Sequence, residues 1–139
     1  MNIVIPEGSG PIGIYGFARP RPERAEDLER LLLSFVEPTR AEPGAWQYQV
    51  HRDASDPTTL VFYELWRSRD DLRDHLAQPG LVEFQQTRME YLREDLEIHW
   101  LTPLSADAPA EPLRPDLPRA AAGGRDGQSD RGLRHPFPG

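Results

Sequence analysis

Two runs of alternating side chains, Trp46 to His51 and Thr59 to Trp66, flank the polar segment Asp53-Ala54-Ser55-Asp56-Pro57. Strand side chains repeat every two residues and a short Asp/Ser/Pro link reverses the chain, so the pair predicts a β-hairpin. Further strands are expected at Ile12–Ala18, ended by Pro20 and Pro22, and at Leu96–Leu101, before Pro103. Helical patterns lie between them. Leu28, Leu31, Leu32, Phe35 and Val36 recur at helical spacing as one apolar stripe, and Pro22 suits the helix start. Pro38 should kink or end this helix, and Glu42-Pro43-Gly44 reads as a stop and a turn. Ser68 and Asp71 make a capping box ahead of a short helix through Leu72, His75 and Leu76. Pro79-Gly80 interrupts it, and a further helical stretch carries Leu81, Phe84 and Leu92. The order β-α-β-β-α-(α)-β predicts an α+β fold, the ferredoxin-like split βαβ arrangement.

One hairpin register joins Trp46, Tyr48 and Val50 with Val61, Tyr63 and Leu65 as an all-apolar face, expected against the helices. The other face then carries Gln47, Gln49, His51, Phe62, Glu64 and Trp66. Rings as large as Phe62 and Trp66 are costly to leave in water. That mixed face is therefore expected to be covered by a second copy of the chain, with a cavity between.

Composition marks where this domain stops. Residues 105–139 are rich in Pro and Gly, with Leu113, Leu117, Leu133 and Phe137 as their large apolar residues. Such a stretch cannot bury enough surface to offset its chain entropy, so 105–139 is expected to be a disordered tail behind a folded domain at 1–104. Its arginines and acids balance, which leaves the chain's net charge of −7 on the domain. A domain this small has little room for a deep pocket, and self-association is a natural remedy. An acidic chain without lysine or a basic block argues against nucleic acid or an anionic membrane as partner. The absence of cysteine excludes a disulfide scaffold, a thiolate nucleophile and a Cys-ligated metal site. No apolar run approaches the ~20 residues of a bilayer span, and the first residues lack a signal-peptide pattern, so a cytoplasmic location is expected.

Four short motifs, in order, resemble the antibiotic biosynthesis monooxygenase family: Glu42-Pro43-Gly44, Tyr48-Gln49-Val50-His51-Arg52-Asp53, Phe62-Tyr63-Glu64-Leu65-Trp66 and Leu72-Arg73-Asp74-His75-Leu76. The resemblance spans about residues 10–104. It implies a homodimer whose sheets pack face to face as a dimeric α+β barrel, with a pocket between the sheet and helices of each subunit. It also implies oxidation of phenols to quinones by molecular oxygen without a cofactor, although relatives oxidise quinols, degrade haem or isomerise signalling molecules. Trp66 matches a Trp used by the aromatic-polyketide enzymes of the family. Their Asn and Tyr positions are Phe62 and Leu72 here, so that hydrogen-bonding arrangement is not reproduced. The axial His of the haem-degrading branch aligns with Gln85, and the first strand lacks that branch's Asn, so haem degradation is disfavoured. His75 matches a His common among quinol-oxidising members.

Oxygen chemistry of this kind needs a substrate that donates an electron once deprotonated. The protein must supply a base, an apolar pocket and charge-stabilising donors. His75, one helical turn from Leu72, is the candidate base. Glu64, flanked by Phe62 and Trp66, should be desolvated into a usable acid or base. Trp66, Phe62, Tyr15 and Phe17 could wall a planar substrate, with Gln49, His51, Leu72 and His99 as further lining. His51, His99 and Glu64 could in principle ligate a metal, but their spacing matches no metal motif, and no metal or cofactor is expected. There is no glycine-rich phosphate loop and no Gly-x-Ser-x-Gly elbow. The resulting expectation is a homodimeric, cofactor-free monooxygenase taking O2 and a small aromatic or polyketide-like substrate, in secondary metabolism. The alternatives are an acid–base isomerase, cyclase or dehydratase on the same pocket, and a non-catalytic ligand-binding dimer.

Overall fold

The apolar stripe beginning at Leu28 forms helix α1, Ala25–Ser34, and buries Leu28 and Leu32 against Ala18, Leu60, Phe84 and Leu92. In the computed structural model, which describes residues 3–106, 108 and 109, the chain runs β1 (Ile12–Ala18), α1, α2 (Val36–Arg40), β2 (Ala45–Arg52), β3 (Leu60–Trp66), α3 (Arg69–Leu76), α4 (Pro79–Thr87) and β4 (Glu97–Leu101). The four strands form one antiparallel sheet in the order β2-β3-β1-β4, with the helices on one face: the ferredoxin-like α+β fold. No helix among the described residues is long and apolar enough to cross a membrane. The expected tail at 105–139 lies, from residue 110 onward, outside the described residues.

Local chemistry accounts for the element ends. Pro38 has no N–H, and its ring crowds the carbonyl four residues back, so the helix cannot pass it unbroken. The break falls at Phe35, whose N–H turns to Leu32 O at 3.2 Å, and α2 then restarts. Ser68 caps α3 as its motif predicts, its hydroxyl accepting the Asp71 N–H at 3.1 Å. The Asp71 carboxylate takes two further bonds from Arg67, at 2.8 and 3.0 Å.

The hairpin register corrects the expected faces. Tyr48 pairs with Glu64 and Val50 with Phe62, while Gln49 pairs with Tyr63 and His51 with Val61. Phe62, Glu64 and Trp66 therefore lie on the helix side with Tyr48, Val50, Ile12 and Ile14, packed beneath Leu72 and Leu76. Val61, Tyr63 and Leu65 take the opposite face. The assignment by parity is off by one residue along the whole regular pairing from Gln47 to Arg52; a separate irregularity between Ala45 and Gln47 leaves Trp46 at a bulge. Both parities of β3 are apolar, so alternation alone could not choose. Burying the larger Trp66 and Phe62 rings does.

Across the sheet, Tyr15, Phe17 and His99 cluster on the helix-free face. Tyr15 stacks on His99 at 4.8 Å, and Phe17 meets the two edge-on at 6.1 and 6.4 Å. Glu97 accepts from Arg19 at 3.0 Å and contacts His99 Nε2 at 2.7 Å. His51 and Gln49 pair at 3.0 Å on the same side. An aromatic and polar face thus exists, with Gln49 and His51 on it as the hairpin pattern implied, but its rings are Tyr15, Phe17 and Tyr63 and not Phe62 and Trp66.

Gly16 is what lets Phe62 reach across β1. A Cβ there would lie 2.3 Å from the Glu97 carbonyl and 2.4 Å from the Phe62 ring. Because the carbonyl belongs to the β1–β4 ladder and cannot swing away, Gly16→Ala is expected to destabilise the fold by about 1–3 kcal/mol through overpacking. Urea denaturation measures it.

Candidate active site

Trp66 is fully buried at the end of β3, and an indole at that depth must place its N–H on an acceptor. It donates to Glu64 Oε1 at 2.9 Å, two residues back on the same strand face. The flat side of the indole lies against His75 of α3, with ring centroids 4.7 Å apart. Tyr48 meets the same imidazole edge-on at 5.6 Å. His75 is itself 1% exposed, and its Nδ1 lies 3.1 Å from Glu42 Oε2. Glu42 comes from the turn before β2, which brings a carboxylate beneath α3.

These contacts set the protonation states. Burial drives the Glu64 carboxyl up to about 7, with the nearby Glu42 charge adding to the rise and the Trp66 hydrogen bond resisting it. Burial pushes the His75 imidazole below its ordinary value, against the opposing pull of Glu42. The Tyr48 hydroxyl is held well above the ordinary phenol range by burial and by Glu64 and Glu42, despite a hydrogen bond with Thr39. Near neutrality the cluster therefore holds a neutral imidazole, a carboxyl poised between its two forms, and a neutral phenol. With Nδ1–H donated to the Glu42 carboxylate, the lone pair of His75 rests on Nε2. That nitrogen has no hydrogen-bond partner among the described residues. The geometry offers a base and a proton donor joined through one indole.

Glu64, His75 and Tyr48 border an apolar cavity of about 60 Å³ between sheet and helices, walled by Ile14, Phe35, Val50, Phe62, Phe84 and Ile98 among others. The predicted site residues divide accordingly. His75, Glu64, Trp66 and Phe62 converge on this side. Leu72 is fully buried in the packing around Ile12 and Trp66, one turn from His75. Tyr15, Phe17, Gln49, His51 and His99 lie across the sheet, so they do not share a wall with Phe62 and Trp66. His51 and His99 are on the wrong side to join Glu64 around a metal, and no group of three such ligands occurs among the described residues. Gln85 lines the cavity and donates to Leu76 O at 3.0 Å. Glu42 and Tyr48 were not foreseen as site members. The available signal was Glu42-Pro43-Gly44 in the motif set, with a carboxylate ahead of a turn that leads into the Tyr48 strand.

A family profile described as antibiotic biosynthesis monooxygenase matches residues 11–87. The protein sll1783 of Synechocystis is 32% identical over 88 residues, 63% of this chain and 60% of its own length. The chain thus spans less than two thirds of that relative. Rv0793 of Mycobacterium tuberculosis is 31% identical over 96 residues, 69% of this chain and 94% of its own. The solved structure of Rv0793 superposes with a TM-score of 0.65 at 30% identity, covering 69% of this chain and 97% of that one. The structure of PA3566 from Pseudomonas aeruginosa gives 0.64 at 31%, covering 70% and 97%.

The raised Glu64 acidity has a thermodynamic consequence. Between its ordinary value of 4.5 and about 7 the unfolded chain loses this proton while the folded chain keeps it, so stability falls as pH rises through that window. His75 acts oppositely, because its lowered value costs stability as pH falls below 6.5. Glu64→Gln keeps an acceptor for Trp66 and removes the first effect alone. Relative to wild type the variant should gain about 3 kcal/mol on going from pH 4 to pH 8, read by denaturant titration at each pH.

Proposed function

The chain belongs to the antibiotic biosynthesis monooxygenase family, and we propose that it is a homodimeric, cofactor-independent monooxygenase of an aromatic, phenolic or enolisable metabolite, in secondary metabolism. The observation carrying this reading is the pairing, through Trp66, of a neutral imidazole with a carboxyl that retains its proton near neutrality, at the wall of an apolar cavity. Membership of a family described as monooxygenases supports the oxygen chemistry.

In this mechanism His75 Nε2 takes the phenolic or enolic proton, and Glu42 stabilises the imidazolium that forms. The substrate anion passes one electron to O2, and the two radicals combine to make a carbon–oxygen bond and a peroxide anion. The imidazolium returns its proton to the peroxide anion. The Glu64 carboxyl protonates the departing hydroxide, and the remaining C–H proton of that carbon restores the Glu64 carboxyl, so that water leaves and a carbonyl remains. Over a turnover a CH2 group and O2 become C=O and H2O, with all electrons coming from the substrate. The apolar walls keep bulk water from the anion.

The same acid–base pair favours a second reading. Proton removal by His75 and delivery by Glu64 would by themselves isomerise or cyclise an enolisable substrate. An oxygen electrode separates the two, because the monooxygenase consumes O2 with an anthrone or hydroquinone and the isomerase turns over anaerobically. His75→Gln is expected to lower oxygen consumption by roughly 10²–10⁴-fold, the usual share of a general base. Activity should fall as pH drops and His75 gains a proton, and fall again above about 7 as Glu64 loses its own. Glu64→Gln should abolish the alkaline limb.

The helix-free face supports the dimer. Tyr15, Phe17, Tyr63 and Leu101 present half-exposed apolar surface with polar groups interspersed, suited to a second copy meeting it face to face. Phe17→Asp is expected to yield a monomer of unchanged secondary structure by light scattering and circular dichroism.

A further inference from the structure

The family match begins at residue 11, and the chain before it contributes Ile3 to the lining of the cavity. Ile3 and Ile5 turn inward while Val4 is 76% exposed, the alternation of an extended segment. Ile5 packs on the cluster around Ile12, Trp66 and Leu72. Arg69, at the start of α3, clasps the segment: its guanidinium donates to the carbonyls of Pro6 at 3.3 Å, Ser9 at 3.1 Å, Gly10 at 3.0 Å and Pro11 at 3.3 Å. Gly8, at φ +146°, lets the strap wrap so closely that a Cβ there would lie 2.8 Å from the guanidinium.

Two hollows meet at this strap. The inner one is the cavity beside His75, and the outer one is an open cleft of about 340 Å³ bordered by Ile5, Arg73 and Ala77. Ile3, Leu76 and Gln85 line both, so they form the partition between them. Leu76 and Gln85 sit on helices tied together by the Gln85 hydrogen bond. Ile3 sits on chain that belongs to neither a helix nor a strand.

An apolar cavity able to hold one benzene ring measures about 150 Å³. At about 60 Å³ the inner cavity admits no ring until a wall moves. The sheet and helix walls are close-packed and yield little. We propose that Ile3, carried on the Arg69-clasped strap of residues 3–11, is the specificity-determining wall of the cavity: it moves aside to pass a planar molecule from the outer cleft to His75, and its bulk limits how many fused rings fit. This rests on the reading of the cavity as the substrate site.

The full-length chain tests it without any turnover. Diethyl pyrocarbonate modifies neutral histidines, and peptide mass spectrometry follows His75 against His51 and His99, which lie across the sheet and outside the strap. Ile3→Ala and Arg69→Ala are each expected to speed His75 modification about fivefold or more, with His51 and His99 unchanged, because both open the strap locally. Ile3→Ala should also tighten binding of three-ring 1-aminoanthracene about fivefold more than that of two-ring indole. Arg93→Ala, remote from the clasp, should leave the His75 rate alone. Equal His75 rates in wild type and both strap variants, or a rise shared by His75, His51 and His99, would overturn the proposal. Gating of His75 without oxygen consumption by any phenol would instead overturn the proposed function and leave the strap's role standing.

Discussion

An indole sealed from water needs an acceptor for its N–H, and leaving that donor unpaired costs about 1–3 kcal/mol. In this protein the acceptor is Glu64, and most features of the site follow from that bond. Strand geometry puts residues 62, 64 and 66 on one face, so burying Phe62 and Trp66 carries Glu64 inward with them. Once there, the carboxyl has exchanged water for a single donor and apolar walls, which is why it holds its proton to about pH 7. The same indole covers His75 and strips it of water, and the imidazole responds in the opposite direction by staying neutral. One buried ring thus produces both halves of an acid–base pair.

Glu42 limits how far that desolvation goes. It stands at the edge of the core, where its carboxylate can hold Nδ1 and set the tautomer of His75 without being fully stripped of solvent. It also couples distant parts of the chain, since the turn before β2 and the helix after β3 must dock together for the bond to form. Assembly of the Glu42–His75 pair and correct packing of α3 on the sheet are therefore one structural event.

The sheet works as a partition. On its helix side lie Glu64, His75 and a small apolar cavity; on the other, Tyr15, Phe17 and His99 form a half-exposed aromatic patch edged by the Arg19–Glu97 pair. Period-two alternation makes this separation automatic: each strand contributes to both faces, and no side chain serves both. A second copy covering the patch would stiffen the sheet behind the site without adding to the cavity wall.

Local signals in the sequence determined the order of elements, the Leu28 stripe of α1, the Ser68 cap and the break forced by Pro38, because each depends on residues within a turn or two. Glu64 came forward through its place between two aromatics, and His75 and Trp66 chiefly through the motifs that resemble the family. The tertiary structure alone decided which side of the sheet those groups share. Val61, Tyr63 and Leu65 are as apolar as Phe62 and Trp66, so alternation left the parity of β3 open. Only packing against the helices, which rewards burying the larger rings, selected it. Glu42 was invisible as a partner of His75 for a related reason: a contact spanning 33 residues exists only after the chain has folded.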